Sequence, residues 1–417
     1  MTMPDSEASG PDSKSHVRVI WVLWMTYGSF YFCRANIAAA VPGIEAELEL
    51  SKTQMGTILG SLKLAYGIGQ FWNGQIAERV SPRIMLTVGM LVSVALNLIF
   101  GLAFGFYFLI FVWMCNGYAQ SLGWTPCMRV ASNWFPATTR GRMIGIIGTG
   151  YQVTLALTYL VSGLSVKYLG WRAAFYVPSV LLFLSCLHMR WFLEETPKPQ
   201  TEELADESAR RRPGWLGANL KATVQNPAVW YLGAALGLLN ACRYGFLDWG
   251  LSHLSEVQEG GVLKAGVKYA VLPLGGIAGA YLAGVASDRM GGRRAPMIFI
   301  LLIGLGLTTL AYKQAVELGT VPTVLILLLI GFFIAGPQVL LVGTAPVDFA
   351  RKGTSAAAVG FVNFMGYLGA FTGDQVTGSM VDDHGWGTAV IVWACFAFGG
   401  ALAVVFLWKA TAVKEQV

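Results

Sequence analysis

A chain of 417 residues that is 55% hydrophobic and only 12% charged, with a mean hydropathy of +0.57, has too little polar surface to enclose a soluble core, so it belongs in lipid. Its formal charge of +6 is spread through short loops as membrane topology demands, which excludes a nucleic-acid partner. The six cysteines, Cys33, Cys115, Cys127, Cys186, Cys242 and Cys395, lie in apolar segments without metal-ligand spacing; they read as small hydrophobes, and neither a disulfide framework, a metal site nor a cofactor is expected.

Residues 1–16 are polar, with no apolar core or small-residue cleavage site, and predict a cytoplasmic tail in place of a cleaved signal peptide. Apolar runs long enough to cross a hydrocarbon core, which takes roughly 20 helical residues, follow near 17–41, 53–77, 84–104, 107–131, 143–167 and 172–193. A polar stretch at 194–227, containing Arg210, Arg211 and Arg212, separates these from six more near 228–252, 264–287, 295–313, 320–346, 354–381 and 385–409. The expected fold class is an all-α polytopic membrane protein. Its parts are a tail (1–16), an N-terminal six-helix bundle (17–193), a central loop (194–227), a C-terminal six-helix bundle (228–409) and a second tail (410–417). Lys and Arg collect on the cytoplasmic side of membranes. With the N-terminus inside, Arg79, Arg83, Arg140, Arg142, Arg289, Arg293, Arg294, Arg351 and Lys352 all fall in cytoplasmic loops, which predicts that both termini are cytoplasmic.

Two segments repeat across the halves. Gly74, Glu78, Arg79 and Arg83 recur as Gly284, Asp288, Arg289 and Arg293, an offset of 210 residues, and Cys33-Arg34 recurs as Cys242-Arg243, an offset of 209. The matching offsets mark equivalent positions in two structural repeats, an architecture common among secondary transporters. In the loop repeat, Glu78 and Asp288 suit pairing with nearby basic residues and capping helix ends, so Glu78, Arg79, Asp288 and Arg289 read as conformational elements.

Arg34 and Arg243 each lie about two thirds along an apolar helix, where an arginine is costly unless it faces a water-filled cavity or a partner. No carboxylate lies within two turns of Arg34, so a bound anion is its natural partner; for Arg243 a structural alternative is Asp248. Guanidinium groups grip phosphate bidentately and keep their charge at any physiological pH.

The strings around Tyr27 to Asn36, Gly123-Trp124-Thr125-Pro126-Cys127, Arg243-Tyr244-Gly245-Phe246-Leu247-Asp248-Trp249 and Gly366-Tyr367-Leu368-Gly369 resemble the organophosphate:phosphate antiporters, and the loop repeat resembles the signature loop of the major facilitator superfamily. The resemblance covers essentially the whole membrane region. It implies a major facilitator fold of two pseudo-symmetric six-helix bundles, Arg34 and Arg243 as the phosphate-binding arginines, and Tyr27, Tyr31, Trp124 and Tyr367 as aromatic pore positions. It also implies an organic phosphate and inorganic phosphate as small-molecule partners, residence in a bacterial inner membrane among its lipids, and a monomer. The chain departs from the pattern at Gln70, where a lysine is usual, at Tyr151, where a histidine is usual, and at Ala35, where a basic residue would serve Asp248. Lys63 lies seven residues before Gln70, on nearly the same helix face and about 10 Å nearer the periplasm. Asp374, deep in the eleventh helix, stands where a small residue is usual. Helices two and eleven pack together in that fold, so Lys63 and Asp374 can pair across the halves, with Asp248 a rival partner; the sharper alternative has Asp374 binding an amine on the substrate.

The leading function is therefore exchange of an organic phosphate for inorganic phosphate, with Lys63, Gln70, Tyr151 and Asp374 added to the candidate substrate site. A transporter-like sugar-phosphate receptor and a proton-coupled anion or zwitterion carrier are the alternatives. No Gly-rich phosphate loop is followed by Lys-Ser or Lys-Thr, and no nucleophile constellation occurs, so neither ATP-driven transport nor an enzyme is expected, and there is no catalytic residue.

Overall fold

The computed structural model describes residues 13–76, 80–102, 104–135, 137–197, 221–258, 261–290, 293–349 and 355–408. Among these there is no strand, and the helices make twelve spans. The N-terminal half consists of α1 (Ser13–Ser29), α2 (Ile37–Leu48), α3 (Lys52–Ile76), α4 (Pro82–Phe100), α5 (Phe106–Gln120), α6 (Trp124–Trp134), α7 (Ala137–Leu169) and α8 (Ala173–Phe192), with α1–α2 and α5–α6 each forming one interrupted span. The C-terminal half consists of α9 (Pro227–Tyr244), α10 (Gly250–Val257), α11 (Gly261–Tyr269), α12 (Val271–Arg289), α13 (Arg294–Glu317), α14 (Thr320–Val339), α15 (Ala345–Phe349), α16 (Ser355–His384) and α17 (Trp386–Val405). Here α9–α10, α11–α12 and α14–α15 are the interrupted spans. Glu78 and Arg79 lie outside the described residues, as does the Asp288 side chain; Arg289 is exposed at the end of α12.

By length and hydropathy seven described helices can cross a membrane on their own. They include α4, α8, α13 and α17, whose outward faces carry exposed apolar side chains such as Ile84, Val88, Phe183, Leu307 and Ile391. The spans that fall short of that apolar standard are α1–α2, α3, α5–α6, α9–α10 and α16. The α5–α6 span is broken into two short helices, and the other four carry Arg34, Lys63, Arg243 and Asp374, which are buried in protein.

Two breaks place the arginines. The first span unwinds through a 3-10 turn at Phe30–Cys33, and Arg34 follows with φ −124° and ψ −46°, outside the helical region. The carbonyl of Cys33, freed from the helix ladder, accepts hydrogen bonds from Asn116 Nδ2 (2.9 Å), Asn97 Nδ2 (3.2 Å) and Gln120 Nε2 (3.4 Å), while Asn36 donates to Asn97 Oδ1 and to the carbonyl of Ala174, both at 2.9 Å. A broken helix survives in the membrane only where side chains satisfy the freed groups in this way. The seventh span turns π-helical over Gly245–Trp249, two residues after Arg243, and the Leu247 carbonyl accepts from Tyr159 Oη of α7 at 3.0 Å. Such π turns concentrate at functional sites because the extra residue re-aims its neighbours.

The halves meet from mid-depth to the face of the bundle opposite the N-terminus, called here the far face. α3 and α16 approach backbone to backbone: a Cβ on Gly56 would stand 2.5 Å from the Asp374 carbonyl oxygen, and one on Gly378 would stand 2.3 Å from that of Lys52. Further along α16, a Cβ on Gly360 would meet no atom outside its own stretch of helix within 4 Å. At the far face Lys52 Nζ bridges Glu45 Oε2 (2.7 Å) of its own half and Glu256 Oε1 (2.5 Å) of the other. Asp382 accepts from the backbone amides of Lys52 (3.0 Å) and Thr53 (2.7 Å), capping the start of α3 from the opposite half. The structure is thus closed at the far face.

Candidate functional site

At mid-depth, between the halves, five buried charged side chains gather: Arg34, Lys63, Arg243, Asp248 and Asp374. Lys63, only 3% exposed, sends its ammonium to two carboxylates of the opposite half: Asp248, in direct contact, and Asp374, at 2.7 Å. It also donates to the Leu59 carbonyl at 2.9 Å and lies 5.0 Å from the Tyr244 ring centroid. The Lys63–Asp374 pair expected from helix depth is present, and its rival is present beside it. Of the two partners open to Asp248, it takes Lys63 and not Arg243, the structural alternative for that arginine, and so has a basic partner although Ala35 supplies none. The α3–α16 contact and the π turn after Arg243 bring both acids to the same lysine.

The arginines are arranged differently. Among the described residues no carboxylate stands within ion-pair distance of Arg34 or Arg243, although they are 8% and 4% exposed. Arg34 lies over the rings of Tyr66 (4.1 Å to the centroid) and Tyr31 (5.0 Å), and its Nε has no hydrogen-bond partner. Arg243 lies 4.8 Å from the Tyr244 ring centroid. Tyr31, Tyr244 and Tyr367 are electrostatic neighbours of both guanidiniums, so the pseudo-symmetric arginines converge on one tyrosine-lined region. A small cavity beside Arg34 is walled by Arg34, Lys63, Asp248, Tyr31 and Tyr244, without Arg243. Aromatic faces hold a guanidinium through the ring quadrupole without neutralising it, which leaves its N–H fork available to an anion.

The aromatic candidates pack on one another. Tyr27 packs against Trp124 at 4.6 Å between centroids and edge-on against Tyr31 and Tyr151, both at 6.2 Å; Tyr31 stacks on Tyr151 at 5.1 Å; Tyr367 meets Tyr66 at 4.6 Å. Gln70 donates to the Ser121 carbonyl at 3.2 Å, so its amide supports the α5–α6 junction within its own half. Arg129, midway along α6, donates to the Val80 carbonyl at 3.0 Å. Sequence inspection did not single out Tyr66 and Tyr244 as site residues, and it passed over Tyr159 and the amide girdle Asn97, Asn116 and Gln120. The signal for the girdle was available, since amides inside apolar helices are there to bond something.

The fold and the arginine pair now meet a family match. The family model described as the Major Facilitator Superfamily matches residues 23–373. The chain belongs to that superfamily. It is a multi-pass membrane transporter of this group, and the antiporter resemblance is borne out by its relatives. It is 28% identical to a "Probable hexose phosphate transport protein" of Chlamydia trachomatis, over 91% of this chain and 88% of the relative. To the "Glycerol-3-phosphate transporter" of Bacillus subtilis it is 26% identical, over 97% and 94%. To the "Membrane sensor protein UhpC" of Escherichia coli it is 27% identical, over 95% and 93%. Among solved structures, the nucleoside transporter NupG superposes with a TM-score of 0.75 at 15% identity, covering 95% of this chain and all of that one, which is a likeness of fold alone.

Proposed function

We propose that this facilitator exchanges an organic phosphate or phosphonate for inorganic phosphate by alternating access, with Arg34 and Arg243 gripping the phosphoryl group between the halves. The observation that carries this is the contrast in partners: the buried lysine takes two carboxylates, while the two buried arginines have none among the described residues. An arginine at such depth needs an anion, and a phosphoryl group offers the oxygens that match two guanidinium forks. Tyr27, Tyr31, Tyr151 and Tyr367 supply hydroxyl donors around it, and Trp124 packs behind Tyr27. The names of the relatives, which include hexose phosphate and glycerol-3-phosphate transporters, support a phosphate ester as cargo.

The placement of the charges supports alternating access. The two arginines come from opposite halves, so a dianion between them draws the halves together, and an empty site of two like charges resists closure. Lys63 with Asp248 and Asp374 forms a latch across the halves that holds the far face shut. In the bacterial inner membrane, with both termini cytoplasmic, that face is the periplasmic one. Glu78, Arg79, Asp288 and Arg289 serve the cytoplasmic face in the corresponding role. The transporter works as a monomer, and the phosphate gradient drives exchange.

Counterflow in proteoliposomes tests the proposal: phosphate-loaded vesicles are expected to take up labelled phosphate esters far faster than phosphate-free ones. Equal uptake into both, driven by a pH gradient, would refute exchange. A receptor role is a second reading, favoured by the relative named as a membrane sensor; tight phosphate-ester binding without flux would establish it.

A further inference from the structure

We infer that the transported organic phosphate carries an ammonium group, so that the cargo is a short amino-bearing phosphate ester or phosphonate of net charge −1. The inference rests on the proposed phosphate site and concerns the charge balance around it. Among the described residues the buried charges between the halves are three positive, Arg34, Arg243 and Lys63, and two negative, Asp248 and Asp374. His253, hydrogen-bonded through Nδ1 to Tyr312 Oη at 3.1 Å, is counted neutral. Asp374 is counted ionised because its oxygen stands 2.7 Å from the Lys63 ammonium. The unloaded site therefore carries one net positive charge.

A buried site is most stable when its cargo cancels its charge, because an uncompensated charge in low dielectric is expensive. A plain phosphate monoester is close to a dianion at neutral pH and would leave the loaded site one charge negative. An aminoalkyl phosphate, dianionic at one end and cationic at the other, leaves it neutral.

The geometry provides for both ends. The cavity that carries Arg34, with its unpartnered Nε, also carries Asp248 on its wall, whereas Asp374 is fully buried behind Lys63. Asp374 thus gives Lys63 a second carboxylate, and Asp248, which contacts Lys63 and also lines the cavity, is the one of the two that an ammonium from the cargo can reach. One lysine facing two acids is what an ion-pair latch alone does not require. A simple latch is complete with Lys63 and Asp248.

The test uses the full-length protein in proteoliposomes loaded with inorganic phosphate, at about pH 8 so that the esters are dianionic. Labelled ethanolamine phosphate is compared with propyl phosphate, a near-isostere without the amine, and 2-aminoethylphosphonate with propylphosphonate; phosphate self-exchange is measured in parallel. In the native protein the amino compounds are expected to exchange about tenfold or more faster at limiting concentration. Asp374→Asn, which keeps the Lys63–Asp248 pair and raises the site by one positive charge, is expected to lower that ratio by about the same factor. Phosphate self-exchange without preference for the amine would overturn this inference and leave the proposed function standing. A native preference that Asp374→Asn does not change would also overturn it. Absence of exchange of every phosphate compound would overturn the proposed function and this inference with it. Since the native comparison needs no variant, a poorly folding Asp374→Asn does not decide the outcome.

Discussion

Replacing Lys63 with Met should be the most damaging single change in the latch, and the reason is the uneven stoichiometry of the cluster. At 2.7 Å, two unit charges attract with about 6 kcal/mol at an effective dielectric near 20. Most of this is offset by the cost of burying the charges. Loss of one partner of a buried pair costs about 3–5 kcal/mol, because it strands the other charge. Lys63→Met strands two carboxylates, and the upper end of that range is expected. Asp374→Leu leaves Lys63 with Asp248 in contact and should cost well under half as much. Lys63→Met with Asp374→Leu strands one carboxylate and falls between. The triple variant that adds Asp248→Asn leaves no unpaired charge and should recover most of the loss, since a neutral replacement of a buried ion pair is often tolerated. Unfolding midpoints in detergent and phosphate self-exchange in proteoliposomes, measured across the set, read these couplings directly. If Lys63→Met proves no worse than Asp374→Leu, or if the losses merely add, the three groups do not act as one latch.

Arg34→Lys and Arg243→Lys should each reduce phosphate exchange by at least about tenfold without lowering the unfolding midpoint, because lysine keeps the charge and loses the bidentate fork; native-like exchange by both would remove the site. Gly56→Val should block closure of the far face, since even a Cβ there would stand 2.5 Å from the Asp374 carbonyl oxygen; trapping of a single-sided state, read by thiol labelling from the far side, is the check. At the mouth, in the last turn of α2 beyond the apolar span, burial pushes the Glu45 carboxyl up to about 7 against the pull of Lys52. The closed mouth therefore holds a proton that an open, solvated mouth releases, so closure is favoured below about pH 7 and weakens as pH rises through that value. Glu45→Gln should flatten the pH dependence of far-side labelling between pH 5 and 8, and an unchanged profile would assign the dependence elsewhere.

Much of this was legible in the chain itself. Hydropathy and loop charge specify the spans because lipid accepts no unsatisfied backbone and few charges, and the twelve observed spans follow the predicted runs, with ends displaced where helices continue beyond the apolar part, as α2 does to Leu48. The Cys-Arg repeat marked Arg34 and Arg243, since two arginines at equal depth in equivalent helices are too costly to be incidental. The possibility of a Lys63–Asp374 pair was readable from helix depth alone, at 1.5 Å per residue. What sequence could not decide was which of two candidate partners, Arg243 or Lys63, Asp248 takes. In the chain Asp248 lies five residues from Arg243 and 185 from Lys63, and only the π turn over Gly245–Trp249 and the glycine-mediated approach of α3 to α16 turn it from the first toward the second. The same holds for the break before Arg34, which depends on Asn97, Asn116 and Gln120 from two other spans reaching one carbonyl. Periodicity and hydropathy report on the environment of a helix one residue at a time. Which buried charge meets which is decided by the rotation and close approach of whole helices, and that is a property of the packed structure.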